Sequence, residues 1–317
     1  MNQNIATITD PHYVAIDISK DSLQVHTSGG QTCRIVYDKA GLRRLLKSIK
    51  SLPDPLVVCE ATGGYERPLL GTLHQAGIAV NLINPSRLRA FALSEAIKAK
   101  TDPIDARMIL RFAQQKHLQP APPPEPVRQE LAAMLDRRSH LTTQLAREKN
   151  RLQKCQKAIA TSIRRMIRFV EKEIASLDAQ IKLLIAKDRR LAAEAQLFQS
   201  VKGVGAVTAW TLLAYLGEMS RLRRNQLVAL AGVAPFNRDS GKASAKRSIS
   251  AGRSKVRKCL FMAAHTAATH NPVIKPYVAG LIARGKPYKC AIVAAMRKLL
   301  IHLHSLLKQH QQHSLAL

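Results

Sequence analysis

Acidic residues are scarce in this sequence: 21 Asp and Glu stand against 50 Lys and Arg, a formal net charge of +29. Because 46% of the residues are hydrophobic the chain folds around a core, so this charge lies on a surface. A surface that basic calls for a polyanion. Aromatic residues are also few, at 4%. That disfavours a binding mode built on bases stacked against rings and leaves phosphate contacts by Lys and Arg, with duplex DNA the expected partner. The five cysteines (Cys33, Cys59, Cys155, Cys259, Cys290) are widely spaced and form no Cys-x-x-Cys pair. They support neither a disulfide framework nor a structural zinc, and they fit a reducing cytosol. The N-terminal stretch MNQNIATITDPHY lacks the basic-then-apolar layout of a signal peptide, and no run approaches ~18 apolar residues. Neither secretion nor a membrane partner is expected. The eleven histidines form no metal-type constellation; IHLHSLLKQHQQH reads as a solvated, partly basic helix and tail.

Glycine and proline are absent from Val127 to Lys202, a strong statement for helix. Within that span Ile163, Val170, Leu177, Leu184 and Leu191 recur every seven residues, with Ile167, Ile174 and Ile181 at the complementary positions. The narrow seam favours pairing between chains, as a dimer or tetramer, over an ordinary helical hairpin. A helix–helix turn is placed near Ala160–Ser162. Upstream, QPAPPPEPV holds five prolines in nine residues and reads as a stiff, extended linker. Four regions result: 1–118, the linker 119–127, a coiled-coil or helical hairpin oligomerisation region 128–196, and a basic C-terminal domain 197–317. Residues 201–317 carry 19 basic side chains against only Glu218 and Asp239, which marks them as the main face for a polyanion.

Over the first region, YVAIDIS, SLQVHT and TCRIVY read as consecutive strands. AGLRRLLKSIK follows as a helix, PLVVCEA as a strand, ERPLLGTLHQAG as a helix and IAVNLIN as a strand, before two helical stretches ending in PIDARMILRFAQQK. That element order is the order of an RNase H-like α/β domain, with an all-α remainder. Residues 197–235 are similar to helix-hairpin-helix units, in which a Gly-x-Gly turn (Gly203, Gly205) opens a helix whose free N–H groups face a phosphate. Arg221, Arg223 and Arg224 follow closely.

Asp17 and Glu60 stand in apolar strands, where a carboxylate is costly to bury without a partner. Asp102 and Asp105 have a good local explanation. Asp102 would cap a helix, Pro103 would open it, and Asp105 would complement its dipole. If the sheet order is RNase H-like, that first turn lies beside Asp17 and Glu60, and four gathered carboxylates call for divalent cations, Mg²⁺ or Mn²⁺.

In order and spacing, AIDISKDSL, CEATGGYE, INPSRLRAFALSEAIKAKTDPIDARMI, VKGVGAVTAWTLLAYLG, LVALAGVAPFNRDSGK and RKCLFMAA resemble the bacterial insertion-sequence transposases with an N-terminal DEDD domain and a C-terminal serine domain, the family that includes the Piv-type DNA invertases. The resemblance implies that Asp17, Glu60, Asp102 and Asp105 are the metal-binding, catalytic DEDD carboxylates of a RuvC-type RNase H fold. It implies that Ser240 is the nucleophile that attacks a DNA phosphate, forms a phosphoserine and frees a 3′-hydroxyl. For the transposase members it also implies a structured, guiding non-coding RNA. The stretch from Asp17 to Glu60 is short for the family, which implies a trimmed strand connection. Unaided, the residues single out no serine: Ser244, Ser248, Ser250 and Ser254 share the same basic stretch. Arg238, Lys242, Lys246 and Arg247 supply cations suited to phosphoryl transfer there. The expected role is a DNA recombinase of the transposase type, in the bacterial cytoplasm at the nucleoid. The alternatives are a dedicated invertase, a metal-dependent junction nuclease and a non-catalytic nucleoid scaffold.

Overall fold

The computed structural model describes residues 11–95, 102–123, 125–236 and 248–316, without the side chains of 102–104, 236, 248 and 314–316. The chain divides into two compact units, Met1–Pro123 and Pro124–Leu317.

The first unit runs β1 (His12–Ile18), β2 (Ser22–Thr27), β3 (Thr32–Val36), α1 (Lys39–Lys50), β4 (Pro55–Glu60), α2 (Glu66–Gln75), β5 (Ala79–Ile83), α3 (Pro85–Ser94) and α4 (Asp102–Gln115). The strands form one sheet in the order β3-β2-β1-β4-β5. β1 pairs antiparallel with β2, and β2 with β3, whereas β1, β4 and β5 are parallel. The short connection between β2 and β3 is a tight turn in which Gly30 takes φ +81°, the left-handed region that glycine adopts without strain. Strand alternation divides the apolar side chains between two faces. Val14, Ile16, Val57 and Cys59 pack under Leu45 and Ile49 of α1 and Leu69 and Leu73 of α2. Tyr13, Ala15, Leu56 and Val58 pack under Leu88 and Phe91 of α3 and Met108, Ile109 and Phe112 of α4. Caps fix where these helices start: the Asp38 carboxylate accepts from Gly41 N (2.6 Å), and Asn84 Oδ1 accepts from Ser86 N (2.9 Å) ahead of Pro85.

The prolines do not form one free tether. Ala121 N donates to Val80 O (2.9 Å) and Asn81 Nδ2 donates to Gln119 O (2.7 Å), so residues 119–121 run along the edge strand β5. A segment poor in free N–H groups thereby covers an otherwise open sheet edge. Pro126 and Val127 already belong to the next helix.

The second unit is helical: α5 (Pro126–Leu152), α6 (Lys157–Lys187), α7 (Arg189–Gln199), α8 (Ala206–Tyr215), α9 (Arg224–Leu230), α10 (Ser254–His270), α11 (Ile274–Ala283) and α12 (Tyr288–Ala316), with a two-stranded ladder of β6 (Pro235–Phe236) and β7 (Ser248–Ile249). Helices α5 and α6 pack against each other, tied by Arg138–Asp178 and by Lys149–Glu171 (2.8 Å). The heptad seam is used within the chain: Ile163, Ile167, Val170, Ile181 and Ile185 are buried, and Ile174, Leu177 and Leu184 half-buried. The turn falls at 153–156 instead of Ala160–Ser162, because Ala160 and Ile163 already belong to the buried seam and α6 must begin upstream of them. Helix α12 is long and apolar enough to cross a membrane by length and composition. Its Leu299, Leu300 and Leu303 are fully buried in one cluster with Leu260 and Ala264 of α10, which is the placement of a core helix.

Candidate functional site

Asp17 and Glu60 are neighbours in the sheet. The parallel register pairs Ala15 with Val58 and Ile16 with Cys59, and its next step sets Asp17 beside Glu60, at about the 4.8 Å spacing of adjacent strands. By alternation both side chains share the face of Tyr13, Ala15, Leu56 and Val58, the face that α4 covers. Helix α4 runs antiparallel to β1. The Tyr13 hydroxyl, at the start of β1, donates to Leu118 O (3.3 Å), just past the end of α4. From Gln115 back to Asp105 the helix rises about 15 Å, and from Tyr13 to Asp17 the strand rises about 13 Å, so Asp105 is level with the carboxylate end of the sheet. Asp102, the first residue of α4, shares that turn. Its side chain lies outside the described residues, as does the capping arrangement expected for it.

Nearby, Arg107 Nε donates to His26 Nε2 (3.1 Å), and His26 Nδ1 bonds Thr32 Oγ1, holding α4 on β2. Burial and the Arg107 charge hold the His26 imidazole below its ordinary range, so it accepts from Arg107 as a neutral ring. Cys59 adjoins Glu60 in sequence but faces the other layer, and burial, together with the Glu66 charge, pushes its thiol up to about 12. It stays protonated and offers no thiolate ligand. The side chains assigned to this end of the sheet are carboxylates, whose oxygens suit a hard dication such as Mg²⁺. Among the described residues, no three His, Cys, Asp or Glu side chains stand close enough to share one ion.

Glu66 carries a role that sequence reasoning did not single out. After Glu60 the chain turns through Gly63 (φ +78°) and Gly64 (φ +134°). Glu66 Oε2 collects Thr62 N (3.1 Å), Thr62 Oγ1 (2.8 Å) and Gly64 N (2.8 Å), closing the loop on itself. Tyr37 supports it from outside, its hydroxyl donating to Tyr65 O (2.6 Å) and accepting from Leu69 N (3.1 Å). Burial alone would push the Glu66 carboxyl up, but these hydrogen bonds outweigh it and hold the group below the usual carboxylate range. Because the folded value is the lower one, the stabilisation is complete above the unfolded value, near pH 4.3, and is lost as pH falls through the folded one. In Glu66→Ala the Thr62 and Gly64 amides should exchange with solvent about tenfold faster at pH 7, and the difference from the parent should shrink toward pH 3 once intrinsic rates are corrected. A difference independent of pH would refute the charged clamp.

In the second unit, Gly205 caps α8, which starts with the half-buried Ala206 and the exposed Val207 before Thr208 to Leu213 become buried. Gly203 has a packing reason for its identity: at φ +102°, a Cβ there would lie 2.8 Å from the Ala267 backbone nitrogen of α10. Arg221 and Arg223, between α8 and α9, and Arg224, the first residue of α9, are each exposed. Ser240, Arg238, Lys242, Lys246 and Arg247 lie outside the described residues, but both flanks of their segment are fixed. β6 and β7 pair as Pro235↔Ile249 and Phe236↔Ser248. Behind them two glycines meet backbone to backbone, since a Cβ on Gly252 would sit 2.3 Å from Gly232 N. Arg253 N donates to Leu230 O (2.8 Å), and Arg257 Nη1 donates to Ala251 O. Gly232 and Gly252 are thus, after Glu66, a second feature that sequence reasoning passed over; their only signal was a glycine on each side of the serine-rich basic stretch.

Residues 14–161 match the family model for the DEDD region of IS110 elements, described as "Transposase", and residues 195–279 match the one described as "Transposase IS116/IS110/IS902 family". A carboxylate-edged α/β unit followed by a basic helical unit is, on these matches, a DNA recombinase. The chain belongs to the IS110 transposase family, including its Piv-type members. Among curated relatives, the pilin gene-inverting proteins of Moraxella lacunata and Moraxella bovis are each 28% identical over 310 residues, covering 94% of this chain and 96% of theirs.

Proposed function

We propose that this protein is a transposase that cuts and rejoins duplex DNA through a covalent phosphoserine on Ser240, with Asp17, Glu60, Asp102 and Asp105 forming a divalent-metal site on an RNase H-like (RuvC-type) domain. The observation that supports it most is that Asp17 and Glu60 are neighbours at the C-terminal end of the central strands β1 and β4, on the face crossed by the helix that Asp102 opens. Mg²⁺ or Mn²⁺ held by these carboxylates would supply charge stabilisation to a phosphodiester. Ser240 Oγ would form a bond to phosphorus as the bond from phosphorus to the 3′ oxygen breaks. The serine proton passes to a base, and the departing 3′ oxygen takes up a proton to become the free hydroxyl. A 3′-hydroxyl of the recombining strand reverses the step and releases the serine. Arg238, Lys242, Lys246 and Arg247 would offset the charge that builds on the phosphate, and Gly203, Gly205, Arg221, Arg223 and Arg224 would seat the DNA backbone. The reading extends to a structured non-coding RNA as guide, to a homo-oligomer, dimer or tetramer, in which Ser240 joins the carboxylates of its own or a partner chain, and to a cytoplasmic, nucleoid-associated location.

A dedicated invertase is the second reading, favoured by near full-length similarity to pilin gene-inverting proteins. Flanking DNA separates the two: mobile-element ends beside a structured untranslated region favour transposition, and inverted sites around a gene pair favour inversion. For the chemistry, incubation with a nicked substrate should trap a denaturant-stable protein–DNA adduct that maps to Ser240. Metal-dependent cleavage without any adduct would turn the assignment to a junction nuclease that uses activated water.

A further inference from the structure

Helix α6 segregates its charge. Lys157, Arg164, Arg165, Arg168 and Lys172 are all exposed. At 100° per residue they fall within about 100° of the circumference and run for about 22 Å along the axis. The apolar seam of Ile163, Ile167 and Val170 points elsewhere, at α5. None of the five cations forms an ion pair among the described residues. The acids of α6 that do pair, Glu171 and Asp178, face across to Lys149 and Arg138 of α5. In Arg164/Arg168 and Arg168/Lys172 like charges stand four residues apart, a spacing that destabilises a helix where a Glu would have stabilised it. A merely soluble face would carry both signs, as the stretch from Glu173 to Lys187 of the same helix does with Glu173, Asp178, Lys182 and Lys187.

We infer that this stripe is a second contact for the backbone of duplex DNA, separate from the basic surface of the C-terminal third. It offers about one cation per helical turn to a duplex carrying one negative charge per ~1.7 Å. Arginines form its centre and a lysine stands at each end, all held on a rigid helix in place of a loop, and the stripe itself contains no aromatic ring to stack unpaired bases. Insertion in a membrane is disfavoured because the apolar face of α6 is already occupied by α5. The exposed Ile159, Met166 and Phe169 are interrupted by Ser162 and Glu173, so they form no continuous lipid-facing surface.

The test is salt-dependent binding of the full chain to a duplex of unrelated sequence, which involves neither Ser240 nor strand exchange, so its outcome stands apart from the recombinase reading. For Arg164→Gln/Arg165→Gln/Arg168→Gln the slope of log K against log [salt] should become shallower by about 3, at ~0.9 for each phosphate no longer neutralised. The Lys157→Gln/Lys172→Gln pair should make it shallower by about 2, and serves if the triple variant folds poorly. A control, Lys182→Gln/Lys187→Gln on the mixed-sign half of α6, should leave the slope alone. An unchanged slope in both stripe variants, or an equal fall in the control, overturns the inference. Parallel titrations with an RNA hairpin and with phosphatidylserine vesicles identify the alternative if loss appears there while DNA binding is unaffected.

Discussion

Ser240→Ala is expected to lower strand exchange by about 10³-fold or more, since loss of a nucleophile leaves only binding and electrostatic stabilisation. Binding to the same DNA should stay within about twofold, because a serine hydroxyl adds nothing to the long-range attraction between a basic surface and phosphate. Recombination assayed beside a mobility shift reads both quantities. The structure narrows the competing serines. Ser248 sits in β7 paired with Phe236, Ser254 opens α10, and Ser250 lies between them on the fixed side of the ladder. Only Ser240 and Ser244 fall within the span the ladder closes. Ser244→Ala is therefore the decisive companion: it should recombine normally and still form the adduct. Full exchange by Ser240→Ala, with loss in Ser244→Ala, would move the nucleophile four residues on.

The alternation of apolar residues made the first unit readable in sequence. The strands and helices from YVAIDIS to PIDARMILRFAQQK appear in the order read from the sequence, most of them with one face to bury; the helix read over SRLRAFALSEAIKA is described only as far as Ser94, and its last residues lie outside the described residues. The seam of α6 was equally visible, yet periodicity says only that Ile163, Val170 and Ile181 need apolar neighbours. Whether these come from the same chain depends on the turn at 153–156, which bears neither glycine nor proline. Glu66 and the Gly232/Gly252 contact escaped because their meaning rests on φ angles and on approaches between segments distant in sequence. The carboxylates were half legible. Asp17 and Glu60 stood out as charges in apolar strands, whereas Asp105 has an adequate helix-dipole explanation and becomes interesting only once α4 is seen to run antiparallel over β1.

Neutralising those carboxylates without changing their shape should stop the reaction while leaving the protein on DNA. In Asp17→Asn and Glu60→Gln, recombination is expected to fall by about 10²-fold or more, because metal-assisted charge stabilisation of a phosphodiester is worth several kcal/mol and each 1.36 kcal/mol is tenfold in rate. DNA affinity should hold or rise slightly, since each substitution removes one of the 21 acids from a chain of net charge +29. Asp102→Ala should behave alike, and its result bears on more than a helix cap. Loss of a cap costs about 1 kcal/mol of stability, which lowers thermal resistance without abolishing turnover. If Asp102 only starts α4, Asp102→Ser, which caps as well as aspartate, keeps full activity. If Asp102 completes the set with Asp17, Glu60 and Asp105, Asp102→Ser is as inactive as the alanine variant. Divalent cation titrations add a readout that a purely structural role would leave unmoved: wild-type activity should vanish with chelator and return with Mg²⁺ or Mn²⁺, and any residual activity of Glu60→Gln should need more of either ion. Activity that persists in chelator would mean that the acids at this end of the sheet hold no metal, and that the serine works without them.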